Sequence, residues 1–532
     1  MNLTATEWLA ALDSVDGPLA SRLTALYPRQ DLLMQKRILL RGLVEHFQSM
    51  HGAIPFRIFR APGRINLRGM HVDTHGGWLN LMTHHRSIYI AAAPAATSTS
   101  SFSSLQHPQQ TLELNVEDAH RAFNALGSTW EERIQHPQHV EWLATRRGQW
   151  ENYCLGATLR AREALGPSMK GIRAVITSDL PEGASLSSSA ALCVGLVQSL
   201  FALNRFTPAS DALVLAARDA EWFTGARTGT GDQAAIVFGR PDAVMHFAPP
   251  LAGFSAENAR WVKLPESVQI LVINSRTPRS LSGSAQSAYV RTRFAYSLAL
   301  RILDRLLIKP GRAGGPLALC EVPDDLALLT GLLEGVPERA TLCDLETLCG
   351  PEFTRKAYTT YFGDAAEAAP EEWFNLRGPL EFGVAESARA RVFFWALKSG
   401  DLTGAGRLMS IGHDGDRVSG NLRPGPVTSL AELPGAFGAS TPALDALVDT
   451  ACDCGALGAS LTGAGLGGAV VALAVAGRTE HIASQLREYM QTATYARLAN
   501  LAQPLTAQEA ASSVEINVAP PAAGELWPAT SA

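Results

Sequence analysis

The sequence predicts an α+β fold divided into two lobes, because of its length and the order of its strands and helices. A chain of 532 residues is longer than one compact core normally holds, which favours two domains. Strand and helix patterns follow one another without the strict alternation that a doubly wound parallel sheet requires. We expect a first domain over 1–250, a second over 260–515 and a flexible tail over 516–532.

The first domain is predicted to begin with helices and continue into strands. Apolar residues recur at helical spacing up to Phe47. Alternating residues predict a strand over 56–60 that ends at Ala61-Pro62-Gly63, and the polar stretch 95–110 predicts a loop or hairpin tip. The other elements predicted here are a strand over 87–93, a helix over 150–165, a strand over 171–177 and an apolar helix over 190–203.

The second domain is predicted to follow a joint near 248–260, where the composition turns to proline, alanine and glycine. A short apolar run over 270–274 predicts a buried strand, and mostly helical patterns continue to about 455. A last strand over 469–476 is followed by a helix from about 479.

Charge and composition narrow the possible partners. The formal net charge is -5 and the pI is near 6.2, so nothing favours a nucleic acid or an anionic membrane as partner. No run of about 18 apolar residues occurs, and the first residues lack a signal-peptide pattern, so we expect a cytoplasmic protein. Seven cysteines without a CxxC pair predict reduced thiols and no structural zinc.

A small-residue loop between a predicted strand and a predicted helix is the first motif with chemical content. It reads Gly183-Ala184-Ser185-Leu186-Ser187-Ser188-Ser189. Small residues let the backbone approach a ligand, and the start of the next helix offers unpaired N–H groups to an anion. It is not a Walker A loop, because no Gly-Lys-Ser/Thr follows the glycines. The pattern therefore predicts a phosphate cradle, with a serine-capped helix that binds nothing as the alternative.

Two further segments stand out by their composition, and the first of them could form a polar site. Residues 60–77 combine arginines, a carboxylate and two histidines within a stretch bounded by proline and glycine. A metal site at His71, Asp73 and His75 is the less favoured interpretation, since only His84-His85 could add ligands. Residues 458–469 are rich in glycine and, taken alone, indicate a tight bend before a strand.

Taken together and in this order, the three segments resemble the GHMP kinase superfamily, and galactokinases in particular. Minor landmarks extend the resemblance: Trp150-Glu151-Asn152-Tyr153, Gly229-Thr230-Gly231-Asp232-Gln233, Ser280-Leu281 with Tyr289, and Ser440-Thr441-Pro442-Ala443-Leu444-Asp445. The resemblance implies a two-lobed GHMP kinase fold, with a ribosomal protein S5-like N-terminal domain, a GHMP C-terminal domain and a cleft between them. It implies a monomer or homodimer that transfers the γ-phosphoryl group of ATP, with Mg²⁺, to a sugar hydroxyl, most simply the anomeric C1 hydroxyl.

The resemblance also assigns roles to residues. Asp232 would accept the proton of the sugar hydroxyl, and Arg64 would lie beside it. The sugar would contact Asp73, His71, Gly229 and Tyr289. The ATP phosphates would contact Gly183, Ala184, Ser185, Ser187, Ser188 and Ser189, with Ser188 or Ser189 nearest Mg²⁺.

Four residues depart from the galactokinase pattern: Met70, Ser185, Cys193 and Ser460. Met70 replaces a glutamate that would bind the far end of the sugar, and a thioether is a weak acceptor. This favours a sugar that lacks the polar group there or carries a different one. Two other functions stay open: a sensor that binds sugar and nucleotide without turnover, and a GHMP kinase for a non-sugar alcohol.

Overall fold

The computed structural model describes residues 2–277, 284–307, 316–363, 369–420 and 425–527. The landmark Ser280-Leu281 lies outside these ranges. The strands are β1 (Arg57–Arg68), β2 (Leu79–Pro94), β3 (Thr99–Ser104), β4 (Thr111–Asn115), β5 (Ile172–Ser178), β6 (Ala243–Phe247), β7 (Arg260–Lys263), β8 (Val268–Asn274), β9 (Arg339–Thr341), β10 (Trp373–Asn375), β11 (Gly458–Thr462), β12 (Ala469–Val475), β13 (Val514–Ile516) and β14 (Gly524–Glu525).

The α-helices of the N-terminal half are α1 (Ala5–Asp13), α2 (Pro18–Leu26), α3 (Gln30–His51), α4 (Val116–Asn124), α5 (Trp130–Gln135), α6 (Pro137–Ala144), α7 (Glu151–Leu165), α8 (Ser188–Leu203), α9 (Ser210–Trp222) and α10 (Gly231–Phe238). Those of the C-terminal half are α11 (Ser284–Leu306), α12 (Leu326–Glu334), α13 (Leu342–Cys349), α14 (Pro351–Phe362), α15 (Arg377–Ser399), α16 (Leu402–Asp416), α17 (Pro442–Asp453), α18 (Thr479–Met490), α19 (Ala493–Leu498) and α20 (Ala507–Ala511). No helix within the described ranges has both the length and the apolar character needed to cross a bilayer.

The N-terminal lobe is built on an eight-stranded sheet in the order β14-β1-β2-β5-β3-β4, with β6 paired to β2 and β7 paired to β6. The pairs are antiparallel except β3 with β5. Because β7 belongs to this sheet, the lobe continues past the predicted boundary at residue 250. The stretch 95–110, predicted as a polar loop or hairpin tip, contains strand β3 and the turn of the β3–β4 hairpin. The buried side chain of Phe102 anchors β3 in the core.

Strand β1 is longer than predicted and carries the chain into the cleft. The prediction ended it at Ala61-Pro62-Gly63, yet the strand continues to Arg68. The register against β2 shifts between Pro62 and Arg64, and a bulge of this kind accommodates a proline that cannot donate to the ladder. The extension places Arg64 at the edge of the cleft.

The C-terminal lobe has a four-stranded antiparallel sheet in the order β11-β12-β8-β13. Helices α17 and α18 pack against its strands around an apolar cluster that includes Leu271, Leu444 and Leu486. A second cluster in this half forms between α11, α15 and their neighbours, including Phe294 and Phe382.

The chain end over 516–532 was predicted to be a flexible tail. Over residues 516–527 this prediction is wrong, and residues 528–532 lie outside the described ranges. Strand β14 pairs with β1, and Arg57 forms an ion pair with Glu525. Leu526 is buried, and the ring of Trp527 lies 5.8 Å from that of Trp8. Arg60 also donates hydrogen bonds to the carbonyl oxygens of Pro521 and Ala522, so the segment is held although proline, alanine and glycine dominate its composition.

Candidate active site

A cleft of about 300 Å³ opens between the lobes and collects the predicted site residues. Those that line it are Arg64, His71, Asp73, Gly183, Ser185, Ser187, Ser188, Ser189, Gly229, Asp232 and Tyr289. Ala184 does not, because its side chain is buried in the core of the N-terminal lobe. Residues more than 200 positions apart in sequence thus share one concave, mostly polar surface.

Arg64 and Asp232 form a two-point ion pair at the cleft wall. Arg64 Nε donates to Asp232 Oδ1 at 2.6 Å, and Arg64 Nη2 donates to Oδ2 at 2.8 Å. Ser187 Oγ also donates to Asp232 Oδ2 at 2.5 Å. The Asp232 carboxylate stays 26% exposed, so it is oriented by protein donors and still open to a ligand.

The loop of residues 181–189, here the serine-rich loop, connects β5 to the start of α8. Ser185 and Ser187 both adopt positive φ angles, 58° and 61°, which turn the chain sharply before the helix. Ser188 Oγ faces the cleft and has no partner among the described residues. Since the first N–H groups of α8 lack partners within the helix, this corner suits an anion.

The glycine-rich turn between β11 and β12 packs against the serine-rich loop. A Cβ at Gly468 would lie 2.3 Å from Ser185 Oγ, and one at Gly463 would lie 2.9 Å from the Ser185 carbonyl oxygen. Both glycines have positive φ angles, so other residues would be strained there as well as crowded. The turn therefore supports the loop from the C-terminal lobe.

Glu221 is a buried carboxyl group beside the serine-rich loop. Ser189 Oγ donates to Glu221 Oε1 at 2.6 Å, and Gln233 Nε2 donates to Oε2 at 2.6 Å. Burial raises the pKa of Glu221 to about 7, with the charge of Asp232 adding to the effect. The group can therefore change its protonation near neutral pH and can offer an oxygen ligand next to Ser189.

Asp73 and Gly229 lie in contact in the same cleft as Asp232. A Cβ at Gly229 would lie 2.2 Å from Asp73 Oδ2, so only glycine leaves room for this carboxylate. Burial raises the pKa of Asp73, and the nearby charge of Asp232 raises it further, while Arg293 opposes the change. A carboxylate held here can accept hydrogen bonds from two ligand hydroxyls.

His71 supports the cleft wall through its packing. Its imidazole is only 2% exposed and stacks on Phe437, with ring centroids 4.1 Å apart. Its Nδ1 lies 3.3 Å from the Tyr289 hydroxyl, and its Nε2 lies 3.3 Å from Asp416 Oδ1. The ring of His71 is therefore mostly hidden from the cleft. His71 instead orients Tyr289, which reaches the cleft.

Comparison with known proteins agrees with this geometry. Three family models match the chain: "GHMP kinases N terminal domain" over residues 152–240, "GHMP kinases C terminal" over 393–496 and "Galactokinase galactose-binding signature" over 45–94. The chain belongs to the GHMP kinase superfamily. The matched ranges include the serine-rich loop, Asp232, the C-terminal glycine turn and Asp73.

Individual relatives of this GHMP kinase are galactokinases. It is 29% identical to the galactokinase of Roseiflexus sp. (strain RS-1) over 85% of its own length and 92% of the relative's. It is 27% identical to that of Chloroflexus aggregans over 83% and 90% of the two lengths. A solved structure of Lactococcus lactis galactokinase, complexed with galactose, matches with a TM-score of 0.63 at 20% identity, covering 91% of this chain and 99% of the other. The predicted two-lobed GHMP kinase fold is confirmed.

The structure corrects the interpretation of Met70. We expected its thioether to face the far end of the sugar, but Met70 is 1% exposed and packs into the core of the C-terminal lobe. The buried carboxylate of Glu386 instead accepts hydrogen bonds from the backbone amides of Gly69 and Met70, at 2.7 and 3.2 Å. The Met70 side chain therefore does not line the cleft.

Two of the other departures also lie away from the cleft. Cys193 and Ser460 are fully buried, and burial raises the pKa of the Cys193 thiol far above its usual range. Ser185 is the departure that lines the cleft, and its carbonyl oxygen accepts a hydrogen bond from Arg64 Nη1 at 3.0 Å. Only this change touches the candidate site.

The residues not predicted from the sequence include Glu221 and Arg227, which line the cleft, and Asp416, which contacts His71. The signal for Glu221 was present, because it lies on the apolar face of α9 at helical spacing from Val214 and Ala217, where a carboxylate is out of place. Arg227 and Asp416 carry no comparable local signal, since their positions depend on contacts made by the fold.

Proposed function

We propose that this GHMP kinase is an ATP-dependent sugar kinase that phosphorylates the anomeric C1 hydroxyl of its acceptor. The observation that carries the proposal is the contact of Asp232 with both Arg64 and Ser187. It brings a carboxylate suited to accept a hydroxyl proton next to the loop suited to hold phosphates. The galactokinase relatives support a sugar as the acceptor.

The proton acceptor of the reaction would be Asp232. Its carboxylate is partly exposed to the cleft, so an acceptor hydroxyl can reach it. Arg64 fixes the orientation of that carboxylate and places positive charge where the transferred group becomes more negative. Since Arg64 also donates to the Ser185 carbonyl oxygen, it ties the proton acceptor to the serine-rich loop.

The nucleotide phosphates would bind the serine-rich loop and the start of α8. Among the predicted contacts, Gly183, Ser185, Ser187, Ser188 and Ser189 line the cleft, whereas Ala184 would contribute through its backbone alone. Backbone N–H groups and small side chains at a helix start bind phosphate oxygens without a dedicated lysine.

The cleft also fits Mg²⁺. Ser188 and Ser189 offer hydroxyls, and Glu221 adds a carboxylate next to Ser189, which together form the oxygen donor set that Mg²⁺ prefers. Bound with the phosphates, the ion would neutralise negative charge during transfer. Glu221 would hold it only when ionised, so the raised pKa makes its occupancy sensitive to pH.

The sugar would occupy the side of the cleft formed by Asp73, Gly229 and Tyr289. The Asp73 carboxylate accepts hydrogen bonds from neighbouring hydroxyls, and Gly229 leaves the space for it. His71 holds the Tyr289 hydroxyl from behind. This arrangement presents acceptors and a hydroxyl to the ring while the reacting hydroxyl faces Asp232.

A panel of free sugars, incubated with purified protein and Mg·ATP, tests the proposal. We expect at least one aldose to stimulate release of ADP, and ³¹P NMR of the product to show a phosphate at C1. Mevalonate and homoserine serve as non-sugar alcohols in the same assay. Turnover with these alcohols and with no sugar would contradict the sugar assignment, and binding of sugar and ATP without turnover would contradict the kinase assignment.

A further inference from the structure

Three guanidinium groups line the cleft, and among the described residues only that of Arg227 donates no hydrogen bond. Arg64 is paired with Asp232, and Arg293 Nη2 donates to the carbonyl oxygen of Arg227 at 3.2 Å. The guanidinium of Arg227 itself makes no hydrogen bond or ion pair with any residue that the structure describes. The carboxylate whose charge acts on it is that of the exposed Glu131 in α5, with which it forms no ion pair.

The turn that carries Arg227 is held firmly between α9 and α10. Arg293 binds the Arg227 carbonyl oxygen, and Trp222 Nε1 donates to the Thr228 carbonyl oxygen at 2.8 Å. The Arg227 guanidinium lies 5.5 Å from the centre of the Trp222 ring, a distance typical of a cation–π contact. The side chain is therefore positioned in advance at the cleft.

The same turn adjoins the phosphate side of the cleft. Thr228 Oγ1 donates to Glu221 Oε2 at 3.4 Å, and Glu221 accepts a bond from Ser189 at the start of α8. The turn that carries Arg227 is thus linked through Thr228 to the residues suited to hold Mg²⁺, and Arg227 lines the same cleft. Burial lowers the pKa of Arg227, as is typical of a cation that has lost water without gaining a counterion, and Glu131 only partly opposes this.

We propose that Arg227 binds the phosphate tail of the nucleotide and supplies a cation that the serine-rich loop lacks. The inference rests on the proposed kinase function, in which ATP is the ligand that brings negative charge into the cleft. The serine-rich loop, residues 181–189, contains neither lysine nor arginine. A planar guanidinium suits this task because it can donate two parallel hydrogen bonds to phosphate oxygens.

Isothermal titration of four proteins with two probes tests the inference. The proteins are wild type, Arg227→Gln, Arg227→Lys and Arg218→Gln; the probes are the β,γ-imido analogue of ATP with Mg²⁺, and adenosine. Arg218 is the matched control because it lies over the same Trp222 ring, at 4.3 Å, but pairs with Asp219 and does not line the cleft. For Arg227→Gln we expect a Kd for the analogue at least about tenfold higher than that of wild type, since loss of a hydrogen bond to a charged group changes affinity by about this factor.

Adenosine should bind Arg227→Gln as it binds wild type, which also shows that the variant is folded. Arg227→Lys should recover part of the affinity for the analogue, and Arg218→Gln should match wild type. Unchanged affinity of Arg227→Gln for the analogue, or an equal loss for adenosine, would overturn the inference while leaving the kinase function intact. A wild-type protein that does not bind the analogue would overturn the kinase proposal and this inference with it.

Discussion

Replacement of Glu221 by glutamine should stabilise the ligand-free protein and weaken its binding of Mg²⁺. Glutamine keeps an oxygen that can accept the bond from Ser189 Oγ. Its new amide would face the amide of Gln233, but Gln233 Oε1 has no partner, so a flip of that side chain restores a hydrogen bond. The substitution therefore removes a buried charge without leaving a cavity.

The size of the effect follows from the pKa. Burial raises the pKa of Glu221 from 4.5 to about 7, and each pKa unit corresponds to about 1.36 kcal/mol, so ionisation costs the folded state about 3 kcal/mol more than the unfolded state. Because the folded pKa lies above the unfolded one, this penalty is absent below pH 4.5, grows as the pH rises and is complete above pH 7. Glu221→Gln should thus exceed wild type by up to about 3 kcal/mol at pH 8.

Urea unfolding at pH 5 and pH 8 in EDTA measures this difference. In EDTA we expect similar midpoints at pH 5 and a higher midpoint for Glu221→Gln at pH 8. In a second series without EDTA, Mg²⁺ with an ATP analogue should stabilise wild type more than the variant. Glu334→Gln, an exposed position near the end of α12, is the control and should change neither. A variant that is less stable than wild type at pH 8, or that gains as much from Mg²⁺, would refute the reasoning.

Three further substitutions test other parts of the site. Asp73→Asn should raise the KM for sugar at least about tenfold in steady-state assays, because one charged acceptor is lost, and should leave the KM for ATP unchanged. A change in the KM for ATP alone would show that Asp73 does not bind the sugar. Gly229→Ala should lower kcat/KM for sugar by a comparable factor, since its Cβ would collide with Asp73 Oδ2, and an unaltered kcat/KM would contradict that contact. Met70→Leu should leave the order of preference in a sugar panel unchanged, because the side chain is buried away from the cleft; a reordered panel would show that it reaches the sugar.

The three loops could be predicted from sequence because each is one continuous segment. The glycine, proline and serine residues in these segments are the types that permit tight turns. The serine-rich loop follows β5 and opens α8 as expected, and its small residues permit the turn at Ser185 and Ser187. The order of the motifs, together with their resemblance to one family, then implied that they meet in one cleft. The structure brings Arg64 and Asp232 together across 168 positions of sequence.

The rest could not be predicted because it depends on side-chain direction and long-range contact. From its place in the motif, Met70 was expected to face the sugar, but its side chain packs into the core of the C-terminal lobe. The chain end was expected to be loose from its composition, and the partner that holds it, Arg57, lies 468 positions away. The position of Arg227 in the cleft likewise could not be predicted, because it depends on the turn that Arg293 and Trp222 hold in place.

The turnover of Asp232→Asn, measured with saturating sugar and Mg·ATP, tests most directly whether this carboxylate accepts the proton. Asparagine keeps the size of the side chain and one acceptor for Ser187, but it cannot take a proton at neutral pH. We predict a fall in kcat of about 10²- to 10⁴-fold with little change in the Kd of an ATP analogue. A variant that retains wild-type kcat would contradict the account.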